Sequence, residues 1–146
     1  MNSTTTITQN PQPTEMSRNL ASVSPFFIVK DLQASISYYI EQLGFKLDFL
    51  GPDGDFYYGH VSREGIGIML KAILPDVLPQ PNHTRHPWAR WDAYFYAFDP
   101  DALYSEFLQR GASFMKELSF IDDGLWGFEV TDADGYVLAF FRLRHE

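Results

Sequence analysis

"FIVKDLQASISYYIEQLGF", residues 27 to 45, decides how the rest of the chain is read. It closes an apolar run, "SVSPFFIVK" (22–30), that is too short for a helix and reads as a strand. Asp31 follows, a residue whose carboxylate accepts from the free N–H groups of a helix start. Leu32, Ile36, Tyr39, Ile40 and Leu43 then recur at helical spacing, predicting one buried stripe over "LQASISYYIEQL". Gly44 stands where a helix ends in a left-handed residue.

Working outward, "FKLDFL" (45–50), "DFYYGHVS" (55–62) and "IGIMLKAI" (66–73) read as three strands joined by the turns "GPDG" and "REG". The second half repeats the order. "RWDAYFYAF" (90–98) is a strand, and Asp99 or Asp101 caps a helix that buries Leu103, Phe107 and Leu108. Gly111 ends that helix, and "SFMKEL", "WGFEVT" and "YVLAFFRL" are three more strands. Strand-helix-strand-strand-strand, twice, is an internal repeat. The expected class is α+β: two βαβββ modules, about 20–74 and 88–146, whose curved mixed sheets enclose a cavity. "LPDVLPQPNHTRHP" (74–87) holds four prolines. It reads as a linker loop, 75–87, over the mouth of that cavity.

Composition narrows the functions available. The net charge of -8 argues against nucleic acid, whose phosphates require clustered Lys and Arg. Cysteine is absent, which rules out disulfides, zinc thiolates and thiol nucleophiles. No apolar run has the length of a membrane span. Residues 1–19 are rich in Ser, Thr, Asn, Gln and Pro, with no basic start and no apolar stretch after it. They read as a disordered tail rather than a secretory signal, so a cytoplasmic protein is expected. Aromatic residues make up 16% of the chain, a share that suits packed faces or a stacking pocket.

The segment 27–45 resembles the opening signature of the vicinal-oxygen-chelate superfamily, which includes glyoxalase I, bleomycin-resistance proteins and extradiol dioxygenases. "LYSEFLQRGA" and "GLWGFEVTDADGYVLAFF" (124–141) resemble its second-half signatures. In similar metal-dependent members, one ligand comes from each of four strands. Carried onto this chain, those positions fall at Ser24, within Met69 to Lys71, at Asp92 and at Ala139. Of these only Asp92 suits a metal, and one carboxylate does not hold a divalent ion for catalysis. The resemblance therefore implies the bleomycin-resistance-like branch: a homodimer that binds a small molecule and uses no cofactor.

Individual residues fit that expectation in different ways. His60 lies on a predicted strand, half-buried or part of a rebuilt site with Asp92 and a loop histidine. His83 and His86 read as solvated loop residues. Asp92, Tyr94 and Tyr96 alternate onto one face, where Asp92 either draws in a cationic ligand or simply starts a strand in solvent. Trp126, Phe128 and Val130 share a face. With Phe26, Ile28, Tyr94 and Phe141 they form either an aromatic wall for a planar ligand or plain core, with Ala139 as the apolar end of the pocket. Trp88 and Trp91 flank the linker, folding over the mouth or packing at a subunit contact. Glu41, Glu106 and Glu117 read as solvated. Two rival functions remain, a metal-dependent lyase, isomerase or dioxygenase with displaced ligands and an interaction module whose cavity is filled by its own side chains.

Overall fold

A computed structural model describes residues 17–73 and 77–143. The predicted tail, 1–19, lies almost wholly outside the described residues. The first module runs β1 (Phe26–Val29), α1 (Leu32–Glu41), β2 (Lys46–Gly51), β3 (Tyr58–Arg63) and β4 (Ile66–Ala72). After a short 3-10 turn at Asn82–Thr84 come β5 (Ala93–Ala97), α2 (Pro100–Arg110), β6 (Ser113–Phe120), β7 (Trp126–Thr131) and β8 (Val137–Arg142). Each module forms one four-stranded sheet, β1-β4-β3-β2 and β5-β8-β7-β6. The β1–β4 and β5–β8 pairs are parallel and the others antiparallel, so both sheets are mixed.

The helix caps form as the sequence predicts. Asp31 accepts from Ala34 N at 3.1 Å, and Asp99, rather than Asp101, accepts from Ala102 N at the same distance. Gly111 ends α2 with φ 81°, a left-handed conformation that glycine adopts without a Cβ clash. Two stripe residues are corrections. Ile40 and Leu108 face outward, Leu108 at 52% exposure, and Ser35 is buried in their place on α1. Gln42 caps α1, so the helix ends two residues before Leu43, which packs into the core from the turn that follows.

The larger correction concerns the cavity. Helix-facing residues of both sheets belong to one buried core, in which Leu32, Ile36 and Tyr39 of α1 and Phe107 of α2 meet Val61, Leu70, Phe128 and Phe140. The sheets are not closed around a common cavity within the chain. Each covers one face with its helix and the neighbouring module; the other face is partly exposed on the first sheet and lies under the linker at Glu129 and Phe141 on the second.

The seam between modules is polar at its edges. Tyr39 donates to Asp132 Oδ2 at 2.7 Å, and Lys30 N donates to Asp134 Oδ1 at 2.9 Å. Tyr136 stacks on Phe27 at 4.3 Å and donates its hydroxyl to Ile28 O. The "DADG" turn thus fastens the second module to the first. Glu106, expected in solvent, instead accepts a two-pronged contact from Arg63 (2.7 and 2.9 Å) and a third from Arg110 at 2.7 Å. The two guanidinium groups, Arg63 first, hold the Glu106 carboxyl down at about 2.

Candidate functional site

Strand alternation sorts the predicted site residues onto opposite faces. On β7, Phe128 and Val130 turn toward α2, and Phe128 lies against Phe107 and Tyr104. Trp126 is on that same side, its indole donating to Asp101 Oδ1 at 2.7 Å with Phe120 beside it. Neither Trp126 nor Phe128 therefore joins Tyr94 and Phe141 in one aromatic wall. Sequence reasoning assigned that wall by counting along single strands, without knowing which face the helix covers.

The open face of the second sheet holds Tyr94, Ala139 and Glu129 in one cross-strand row, since Tyr94 pairs with Ala139 and Ala139 with Glu129. Phe141 stacks on Tyr94 at 5.6 Å. The linker folds back over this row. The Trp91 ring centre lies 5.0 Å from Tyr94 and 5.7 Å from Phe141, and its indole N–H donates to Glu129 Oε2 at 2.7 Å. Arg90 pairs with the same oxygen. Glu129 is 0% exposed, and its Oε1 has no hydrogen-bond partner. Such a group is costly to leave unsatisfied. The small Ala139 side chain leaves the room beside Glu129 that the indole covers. Glu129 was missed in the sequence, although "WGFEVT" shows a carboxylate alternating with buried apolar residues.

Asp92 stands at the edge of this face with both oxygens taken. Oδ1 accepts from Asn82 N at 2.9 Å and Oδ2 from Val137 N at 2.8 Å. It anchors the linker to β8 rather than standing free in solvent, and it also lines one of the hollows described below. His83, expected in solvent, likewise reaches Gly135 O at 2.9 Å. Trp88 alone of the linker tryptophans is fully turned out.

On the open face of the first sheet, Phe26, Met69, His60 and Phe49 follow one another across β1, β4, β3 and β2 in register. Phe26 is half exposed there. His60 Nδ1 lies 3.0 Å from Asp48 Oδ2, a partner that the sequence reading did not assign. Of the predicted site residues, the structure therefore groups Tyr94, Ala139 and Phe141 on one face. Phe26 and His60 lie on another.

Two hollows accompany these faces. One, of about 710 Å3, lies between Phe26, Ile28, Leu78, Arg85, Asp92 and Tyr136. The other, of about 420 Å3, sits at the seam between Phe45, Ile66, Phe95, Leu103 and Phe107. Of its rim charges, Arg63 and Glu106 are paired with each other, and Glu64 and Asp99 also line it.

The donor set at the four strand positions does not fit a divalent metal. Ser24 and Ala139 bring no anionic ligand, no carboxylate lies within Met69 to Lys71, and Asp92 is engaged through both oxygens. Among the described residues no group of three or more His, Asp or Glu is placed to hold an ion.

Two antiparallel-rich βαβββ modules with their helices in one shared core define a glyoxalase-type fold. A family profile described as the Glyoxalase/Bleomycin resistance protein/Dioxygenase superfamily matches residues 20–140, and the chain belongs to that superfamily. No curated protein matches it. Among solved structures, it resembles a glyoxylase/bleomycin resistance protein/dioxygenase domain from Frankia sp. EAN1pec. The identity is 21% and the TM-score 0.66, over 86% of this chain and 100% of that one. The bleomycin resistance determinant encoded on the transposon Tn5 shows 17% identity and a TM-score of 0.62, over 86% and 100% of the two chains. TioX from Micromonospora sp. ML1 shows 15% and 0.61, over 84% and 100%. At these identities the likeness is one of fold. No helix among the described residues is long and apolar enough to cross a membrane.

Proposed function

We propose that the chain is a metal-independent small-molecule binding protein, working as a homodimer, whose ligand is planar and presents an N–H donor or a positive charge to Glu129. The observation that carries this reading is the buried Glu129 carboxylate, with one oxygen unpartnered, inside the aromatic set Trp91, Tyr94 and Phe141. An indole already rests there by stacking and one N–H bond. A flat ligand with the same chemistry takes the indole's place or bonds to Oε1 beside it. The expected aromatic and anionic partners are thus kept, with Trp91 in the role first given to Trp126 and Glu129 in that given to Asp92. Exposed Phe26, Phe49 and Tyr96 on the open faces support a second copy as their cover.

The test is titration with a planar aromatic cation, 9-aminoacridine, followed by calorimetry. Binding should weaken roughly tenfold or more in Glu129→Gln, about 1.4 kcal/mol, and stay unchanged in Trp126→Phe. Equal affinity in wild type and Glu129→Gln would overturn the reading.

A further inference from the structure

The hollow at the seam of the two modules stands apart from Glu129. Alternation on the second sheet puts Phe95 and its partner Phe140 on the helix side, opposite to Tyr94, Ala139 and Glu129. Phe107 and Phe140, both buried, line the hollow from within, and Phe45 and Ile66 reach it from the first module. Phe98, 85% exposed, stands at its rim. Its volume of about 420 Å3 lies in the range of small-molecule sites, roughly 300 to 1,000 Å3. An uncovered apolar wall beside it is the kind of surface that a ligand covers.

The charges around the hollow differ in what they already bond. Arg63 spends its guanidinium on Glu106, on Leu43 O at 2.9 Å and, through Nε, on Glu64 at 3.4 Å. Glu106 is held in turn by Arg63 and by Arg110, which is not among the lining residues. The start of α2 offers an anion little, because Pro100 has no N–H and Asp99 already accepts from Ala102 N. Two carboxylates remain. Among the described residues Asp99 is engaged through Oδ1 alone. The Glu64 side chain is 79% exposed, and its contact with Arg63 is long. The tight turn between β3 and β4, with φ 52° at Glu64 and 80° at Gly65, holds Glu64 at this rim.

We propose that this hollow is a second binding site, for an amphiphilic amine. A flexible aliphatic body lies against Phe45, Ile66, Phe95 and Phe107, and the ammonium group stays at the mouth with Glu64 and Asp99. The chain fills an irregular apolar space without needing a stacking partner, unlike the planar ligand given to Glu129. Its charged end keeps water on the outer side, so desolvation costs it little. An anionic head would meet two carboxylates and a guanidinium that is already committed.

The full chain is titrated by calorimetry with three probes of one tail length, n-octylammonium, octanol and octanoate, each below its micelle-forming concentration. The amine should bind tightest and the carboxylate weakest. Ala102→Phe sets a ring in the mouth from an exposed helix position and should weaken both the amine and the alcohol roughly tenfold or more. Glu64→Gln should weaken the amine roughly threefold, as an exposed charge does, and leave the alcohol unchanged. Glu129→Gln should alter neither, which separates this site from the other face. An unchanged melting temperature checks that each variant folds. Octanoate binding as tightly as the amine, equal amine binding in Ala102→Phe, or amine binding lost in Glu129→Gln would each overturn the proposal.

Discussion

Tyr39 and Asp132 stand 93 residues apart in the chain and are joined by a 2.7 Å hydrogen bond at the seam of the two modules. Burial pushes the Asp132 carboxyl up to about 6, against bonds from Tyr39, Asp134 N and Tyr136 N that favour its charged form. The folded state thus keeps a proton that the unfolded chain releases near 3.8. Stability from this group is fully present below that value and is lost as pH rises through about 6, a change of about 3 kcal/mol. Urea unfolding at a series of pH values should show that loss in the wild type. It should be absent from the curve of Asp132→Asn, and a parallel pair of curves would contradict the assignment.

Gly127 on β7 has no room for a side chain. An added Cβ would lie 2.2 Å from Phe140 O and 2.6 Å from the Cα of Phe141. Both obstacles are backbone, so relief requires β7 and β8 to part. Gly127→Ala should cost about 3 kcal/mol or more, or leave the chain unfolded. Gly124→Ala is a different case. Nothing lies within 4 Å of its Cβ, and the cost there comes from φ 78° alone, about 1 kcal/mol. Melting temperatures of the two variants measure the contrast, and equal losses would argue against backbone crowding at Gly127.

The difference between these residues also shows how far the sequence could be read. Caps and turns rest on local chemistry, and Asp31, Gly111 and the "DADG" turn were legible because each acts within a few residues. The repeat of two modules followed from the same local signals read twice. The faces were not legible. Whether Trp126 or Trp91 meets Tyr94 depends on which side of β7 the helix covers and on where a proline-rich linker returns. Both are settled by contacts between residues far apart in the chain. The carboxylates divided likewise. Asp92 was visible as a lone acid beside two tyrosines, but its two bonds to Asn82 N and Val137 N arise only when the linker closes on β8. Asp48 was hidden by a bulge, which breaks the alternation that a strand reading assumes.

The donor set makes a plain chemical forecast. Protein purified without chelator or affinity tag should contain well under one equivalent of nickel, zinc, iron or manganese per chain by elemental analysis. Added EDTA should leave its melting temperature unchanged, because no bound ion stabilises the folded state. One equivalent of any of these metals, with loss of stability on chelation, would return His60, Asp92 and a loop histidine to consideration as ligands.

Ala139 allows the opposite experiment. It pairs across β7 and β8 with Glu129, at the strand position onto which the sequence resemblance carries a metal ligand. Ala139→Glu places a second carboxylate beside a fully buried one, with Cβ atoms at a cross-strand separation of about 5 Å. Arg90 already serves Glu129 and cannot neutralise both charges. The variant should lose about 3 kcal/mol at neutral pH. Added manganese should not restore it, since Ser24 and the Met69 to Lys71 segment supply no further anionic ligand. Rescue by manganese at neutral pH would show that one missing carboxylate was all that separated this face from a metal site.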